Sequence, residues 1–361
     1  MPGIDSGARR TRSGGGPLAS DPIRVGIVGL GRSGWSNHAR TLGKHPGYRV
    51  VAVADGVAER RAEAEQVLGC RAHADVAELL QEQELELVIV CTPSFTHADI
   101  ATAALRTGRH VLVEKPMAAS VAEVDRMTAA AREAGRVLTV FQNRRLDPDF
   151  LKVQEILGSG VLGPVHLIRM GRHGYQRRSD WQTLRRMGGG QLNNWGAHVL
   201  DQGLLLLDGE YSDIFADLQH TVSAGDAEDH VKVVLRGRSG TVLDVEITSA
   251  YAYPAPDWQI MGKYGSLTGT TGHLEWKYYD PSALPELTAD DGPAAGRSYG
   301  RREDIPWQIE AADIKAAEDI TVTYYNRLYA TLREGAPLLV TPGSVRKQIA
   351  LFDDIRNRSG F

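Results

Sequence analysis

Gly29-Leu30-Gly31-Arg32-Ser33-Gly34 is the first run in this chain whose residue types and spacing point to chemistry. It directly follows the apolar run at 24–28 and opens a segment with helical character. In that setting Gly29 permits a tight turn, Gly31 lets backbone N–H groups approach a pyrophosphate, and Gly34 lets helix and strand pack closely. Leu30, Arg32 and Ser33 complete the loop, and the helix N-terminus adds partial positive charge toward phosphate. Asp55 stands about 20 residues further on, at the end of the second apolar run, where a carboxylate accepts ribose hydroxyls. A carboxylate there repels a 2′-phosphate. NAD is therefore the expected cofactor and NADP the less favoured one, with Arg60 and Arg61 near enough in sequence to soften the preference.

These residues need elements that bring loop ends together. Apolar, β-rich runs at 23–28, 49–54, 85–91, 110–114 and 137–141 alternate with helical segments at 34–43, 58–68, 76–81, 97–107 and 121–134. Strand and helix in this rhythm imply parallel strands with crossover helices. Leu87-Val-Ile-Val90 is apolar at consecutive positions, as in a strand buried on both faces. Residues 22–142 thus read as a doubly wound α/β, Rossmann-type domain. From 143 to 361 the texture changes, with helices at 149–157 and 192–207 and strands at 165–171, 214–222, 231–236, 242–250, 258–263 and 273–279. A glycine-bounded hairpin turn falls at 237–240. A Pro/Gly-rich loop spans 280–300, and helices at 314–333 and 344–356 follow. This half reads as an α+β domain with a large, mostly antiparallel open sheet. Residues 1–21, rich in Gly and Arg, read as a disordered tail.

Three further signatures follow the glycine loop in order: Cys91-Thr-Pro-Ser-Phe-Thr-His97, Val111-Leu-Val-Glu114-Lys115-Pro116, and Gly188-Gly-Gly-Gln-Leu-Asn-Asn-Trp-Gly-Ala-His198-Val-Leu-Asp201. Together the four resemble the glucose–fructose oxidoreductase and inositol dehydrogenase (Gfo/Idh/MocA) family of NAD(P)-dependent sugar and polyol oxidoreductases, over residues 23–356. The resemblance implies that Thr92, Pro93, His97 and Glu114 lie beside the cofactor. It places Lys115 near the nicotinamide and the reacting hydroxyl, at a strand end facing the crevice where such sheets bind ligands. His198 then moves the hydroxyl proton, since imidazole titrates near neutrality. Residue 194, four before it on the same helix face, completes a catalytic group with Lys115 and His198.

This chain departs from the family pattern at that position. Relatives usually carry Asp, and here stands Asn194, which hydrogen-bonds a hydroxyl but neither carries charge nor accepts a proton. Asn194 is therefore expected to position substrate. Asp201, three residues past His198, either orients the imidazole or sits as an ordinary surface or capping acid. Many relatives carry Trp-Arg where this chain has Trp181-Gln182, and Trp181 is expected against cofactor or sugar. Asn143 and Arg144 are expected contacts to nicotinamide or substrate. Arg145 reads equally well as a linker residue. Tyr175, Tyr251 and Tyr253 are candidates to line a sugar pocket, and Tyr175 joins Lys115, Arg144, Asn194 and His198 in the expected substrate set. Asp226-Ala-Glu-Asp-His230 has metal-like composition but no second ligand cluster, and reads as a turn of solvated acids. No metal is expected.

Composition narrows the partners. With 41 Lys+Arg against 45 Asp+Glu the net charge is −4, which offers no basic excess for nucleic acid. No apolar run approaches the roughly 20 residues of a membrane span. The two cysteines suit a reducing, cytoplasmic setting, and the Arg pair near the start lacks the apolar segment of an export signal. The expected partner is a small sugar or polyol, and the resemblance implies a homodimer or homotetramer. Two other readings stay open: tightly bound NAD used for transient oxidation in glycoside cleavage or rearrangement, and a non-catalytic sugar or NAD sensor.

Overall fold

The computed structural model describes residues 21–207, 209–289, 292, 303–316 and 318–361. All but the last residue of the expected tail, and most of 290–302 in the expected loop, lie outside the described residues. Six strands, β1 (Ile23–Val28), β2 (Tyr48–Ala54), β3 (Arg71–His73), β4 (Leu87–Val90), β5 (His110–Val113) and β6 (Leu138–Val140), form one parallel sheet in the order β3-β2-β1-β4-β5-β6. Wide helical turns at Gly34–Ala39 run into α1 (Arg40–Leu42). With α2 (Ala58–Leu68), α3 (Val76–Leu79), α4 (His97–Arg106) and α5 (Val121–Ala134), they make the crossovers. Every residue of β4 is buried, as its unbroken apolar run requires. β3 was not legible beforehand, being three residues long and partly exposed.

Register sets the site. Val28 pairs with both Ala54 and Val90, Val90 with Val113, and Val113 with Val140. One step further along each strand therefore puts Gly29, Asp55, Cys91, Glu114 and Phe141 along a single carboxyl edge. The strand order reverses direction at β1 and β4, which opens a crevice at that edge.

The second sheet has eight strands in the order β14-β13-β12-β11-β7-β10-β9-β8. They are β7 (Val165–His173), β8 (Tyr211–Gln219), β9 (His230–Gly237), β10 (Val242–Thr248), β11 (Trp258–Gly262), β12 (Gly265–Thr270), β13 (His273–Tyr278) and β14 (Gln308–Asp313). Among the described residues, β7 and β10 are the pair that runs parallel in this sheet. On β9 and β10, Val231, Val233, Leu235, Leu243, Val245 and Ile247 are buried while the residues between them are not, the period of a sheet covered on one face. The cover comes from α6 (Pro148–Ser159) and from α7 (Ala197–Leu206), which continues wide turns at Leu192–Gly196.

The helix expected from 314 begins instead at Ile320, as α8 (Ile320–Glu334), and 308–313 form the edge strand β14. Its mostly exposed, charge-bearing residues suit an edge and conceal its strand character. β12 was missed because Gly265 and Gly269 dilute its pattern. The last helices do not stay with the second sheet. Tyr324, Tyr325, Leu328 and Tyr329 of α8 pack into the first core, and α9 (Pro342–Ser359) divides its face between the two cores.

A buried ion pair closes the joint. Arg145, in the turn after β6, donates from Nε and Nη2 to the two carboxylate oxygens of Asp201 in α7, both at 2.7 Å, and also reaches Ser344 Oγ at 3.1 Å. Asp201 thus fixes α7 against the first domain and does not orient His198. Arg145 is likewise no solvated linker residue. Because removal of one partner strands a buried charge, Asp201→Ala should cost about 3–5 kcal/mol, read as a lowered denaturant midpoint.

Candidate active site

The glycine turn is shaped by contacts no side chain tolerates. Gly29 has φ of 92°, and a Cβ there would lie 2.9 Å from the Cys91 carbonyl. A Cβ on Gly34 would lie 1.9 Å from Gly29 O, whereas one on Gly31 meets nothing within 4 Å. Open space at Gly31, beside a helix start, is the cradle a dinucleotide pyrophosphate fills. Arg32 stands exposed at the same turn. Asp55 accepts the Leu30 N–H at 2.7 Å through Oδ2 and the Val57 N–H at 2.9 Å through Oδ1. The Leu30 bond holds β2 to the glycine turn and the Val57 bond orders the start of the next helix, and both leave carboxylate lone pairs for ribose hydroxyls. Arg60 lies 3.5 Å from Oδ2, while Arg61 is turned back onto the Asp55 carbonyl.

Three residues expected at the cofactor brace its edge. His97 is buried, with Nδ1 3.0 Å from Pro116 O and Nε2 2.8 Å from Thr92 O, so it joins the turns after β4 and β5. Ser33 Oγ donates to Glu114 Oε1, which also meets His38 Nε2 at 3.0 Å. Glu114 Oε2 accepts the Lys115 N–H at 2.9 Å. Burial alone would raise the Glu114 carboxyl. The hydrogen bond and charge of His38, the charge of Lys115 and the Ser33 hydroxyl outweigh it and hold it at about 2. Glu114 therefore locks the glycine loop to the backbone of Lys115. Thr92 and Pro93 remain at the surface of the same edge.

Lys115 crosses to the second domain. Its Nζ lies 3.3 Å from Asn194 O and 3.4 Å from Asn194 Oδ1. Burial lowers the Lys115 ammonium from its ordinary range against the opposing pull of Glu114, and Arg144, Arg32 and Arg178 lower it further. His198 stands one helical turn beyond Asn194. Burial first, then the charges of Lys115, Arg144 and Arg172, push it well below the ordinary histidine value, so its imidazole is neutral at neutral pH. Among the described residues its Nδ1 has no hydrogen-bond partner. The Trp195 ring lies 6.2 Å from the His198 ring, and the Arg144 guanidinium 4.7 Å from the Trp195 ring centre. Arg144 and Asn143 open the turn Asn143–Leu146 after β6, at the mouth of the crevice.

Two expected residues stand apart. Tyr175 and Trp181 are 58% and 51% exposed, and among the described residues no hydrogen bond or ring contact joins either to Lys115, Asn194 or His198. Sequence reasoning also missed a residue. Glu228 is buried, and its Oε1 accepts the Leu192 N–H at 2.9 Å where the helical turns bearing Asn194 begin. A Cβ on Gly190 would lie 2.2 Å from that oxygen, so the triple glycine admits a carboxylate to the helix start. Neighbouring Asp229 accepts Thr221 N–H and Oγ–H, Val222 N–H and Ser223 N–H. The acids at 226–230 are thus not uniformly solvated. The glycine run beside an acid-rich turn was the available signal.

The sequence of residues 23–142 matches the model of the oxidoreductase family with an NAD-binding Rossmann fold, and residues 150–268 match the GFO/IDH/MocA C-terminal domain. The chain belongs to the Gfo/Idh/MocA family. As a member it is an NAD(P)-dependent oxidoreductase. It is 32% identical to the uncharacterized oxidoreductase YdgJ of Escherichia coli K12, across 87% of this chain and 89% of that one. It is 28% identical to the scyllo-inositol 2-dehydrogenase (NADP(+)) IolW of Bacillus subtilis, across 89% of each. The solved structure of yvaA from Bacillus subtilis shares the fold with a TM-score of 0.81 at 23% identity, covering 94% of this chain and 97% of that one. Among the described residues of this Gfo/Idh/MocA chain, no helix is long and apolar enough to cross a membrane.

The bracket at Glu114 has a pH signature. Its carboxyl is depressed from 4.5 to about 2, so its contribution is present above the unfolded value and is lost as pH falls toward 2. That contribution is about 3 kcal/mol. Glu114→Gln should remove this part of the acid dependence, measured as denaturant midpoint against pH between 5 and 2.

Proposed function

We propose that this protein oxidises a secondary hydroxyl of a sugar, sugar derivative or cyclic polyol, or reduces the matching ketone, with NAD preferred. The observation that carries the reading is the meeting of a buried ammonium, Lys115, with Asn194, one helical turn before a neutral imidazole, at the carboxyl edge of the dinucleotide fold. The polyol named for IolW supports the substrate class. The Asp55 carboxylate supports NAD, and Arg60 beside it is the group that would receive a 2′-phosphate.

A nicotinamide held at this edge supplies the hydride acceptor for oxidation and the donor for reduction, so carbinol and ketone interconvert with no further oxidant. Gly29, Gly31, the start of the following helix and Asp55 would hold the dinucleotide. In oxidation His198 takes the hydroxyl proton, which its neutral state at pH 7 permits. Lys115 donates a hydrogen bond to the oxygen as negative charge builds there, in a site where little water screens it. The Asn194 amide orients the hydroxyl and shares the Lys115 ammonium. Reduction reverses the proton path.

Lys115→Ala should lower turnover about 10²–10⁴-fold while NAD affinity, followed by titration calorimetry, stays close to wild type. Unchanged turnover would remove Lys115 from the chemistry. The acid limb of kcat/KM should lie below pH 6.5, because His198 must lose its proton before it can accept one. Asn194→Asp adds a negative charge one turn away and should move that limb to higher pH. An NADH absorbance assay over a panel of sugars, glycosides and inositols tests the reaction itself. Product formed without stoichiometric NADH would favour transient oxidation by a retained cofactor.

A further inference from the structure

The cationic groups around this site outnumber the anions free to neutralise them. Lys115 has three N–H donors, and its two acceptors, both on Asn194, are long and uncharged. Glu114 already receives Ser33, His38 and the Lys115 backbone. Arg178 is held by Asp180 and Arg172 by Asp257, each at 2.7 Å. Arg144 differs from these two. It gives one bond, from Nη1 to Asp147 at 3.1 Å, and its side chain stays 36% exposed. Burial raises the Asp147 carboxyl, against the lowering charge and hydrogen bond of Arg144.

Arg144 also faces usable space. A cavity of about 410 Å³ lies beside Trp195, with Arg144, Asp147, Arg172 and Asp257 in its wall. Its carboxylates are engaged: besides Asp147, Asp149 accepts Trp258 Nε1–H at 2.9 Å, and Asp257 accepts the Thr271 N–H at 3.0 Å as well as Arg172. The guanidinium resting on Trp195 keeps most of its donors and its planar fork for an incoming oxyanion. Asn194 is uncharged and does not repel such a group.

We propose that the substrate is an anionic polyol, a sugar acid or sugar phosphate, whose charged substituent is received by Arg144 while its carbinol lies at Lys115 and His198. The inference rests on the polyol oxidoreductase reading, and binding is therefore measured apart from turnover. Two matched series serve: glucose, glucuronate and glucose 6-phosphate; and myo-inositol with its monophosphate. Calorimetry on the NADH-loaded full chain should give a Kd at least tenfold lower for an anionic member than for its neutral counterpart, with the gap closing as salt is raised. The carboxylate and phosphate arms tell the two anions apart. Arg144→Gln should abolish the gap and Arg144→Lys restore part of it.

Equal binding of neutral and anionic members, or a gap that survives in Arg144→Gln, overturns the inference. Turnover of neutral polyols without an anionic advantage does so while leaving the oxidoreductase reading intact. Arg144-dependent anion binding with no NADH formed supports the inference and counts against net hydride transfer.

Discussion

A carboxylate taken out of water must find donors on its own chain, and Glu114 finds them on the turn and helix after β1, through the Ser33 hydroxyl and the His38 ring, and on its own neighbour, the Lys115 backbone N–H. An uncompensated charge in that position would cost several kcal/mol, so the glycine turn and the end of β5 are constrained together. His38 in turn meets the hydroxyl of Tyr325 on α8, which returns from the far end of the chain. The glycine loop, the lysine and α8 thus share one polar centre. The rest of the cofactor edge is arranged about it, with His97 tying the Thr92 and Pro116 turns and Asp55 tying β2 to Leu30.

The other half of the site is held by a different logic. Asn194 and His198 lie on a helix whose first turns are wider than an α-helix, a form found often at functional sites. Its start is held by Glu228, and its body by Asp201 with Arg145 and by Gln142 and Gln348, both of which donate to Ala197 O. Gln142 and Arg145 leave the last strand of the first sheet. The two halves are therefore fastened within a few residues of the groups that meet in the cleft, which lets a long lysine bridge them reproducibly.

Electrostatics then divides the labour. Glu114 is anionic but turned inward, Lys115 is cationic with only an amide to face, and His198 is kept neutral by burial and surrounding positive charge. A site biased this way favours the build-up of negative charge on a substrate oxygen, and it tolerates an anionic substituent that an aspartate at 194 would repel.

The sequence by itself determined the doubly wound domain, the glycine turn with Asp55, and the family. Those features are written in local pattern: buried parallel strands are apolar without a break, and glycines mark positions where a Cβ cannot fit. It also brought forward Lys115, Asn194 and His198. What it could not determine was which polar residues would face a ligand and which would satisfy one another. Glu114, Ser33 and His97 read as cofactor contacts, and in the fold Glu114 pairs with Ser33 while His97 joins two neighbouring turns. Asp201 read either as a partner of His198 or as an ordinary surface or capping acid but pairs with Arg145, and Glu228 read as solvated but caps the helix of the site. Those outcomes depend on hydrogen bonds between residues up to 81 positions apart. Only the folded chain decides which donors and acceptors lose access to water together, and so which must pair.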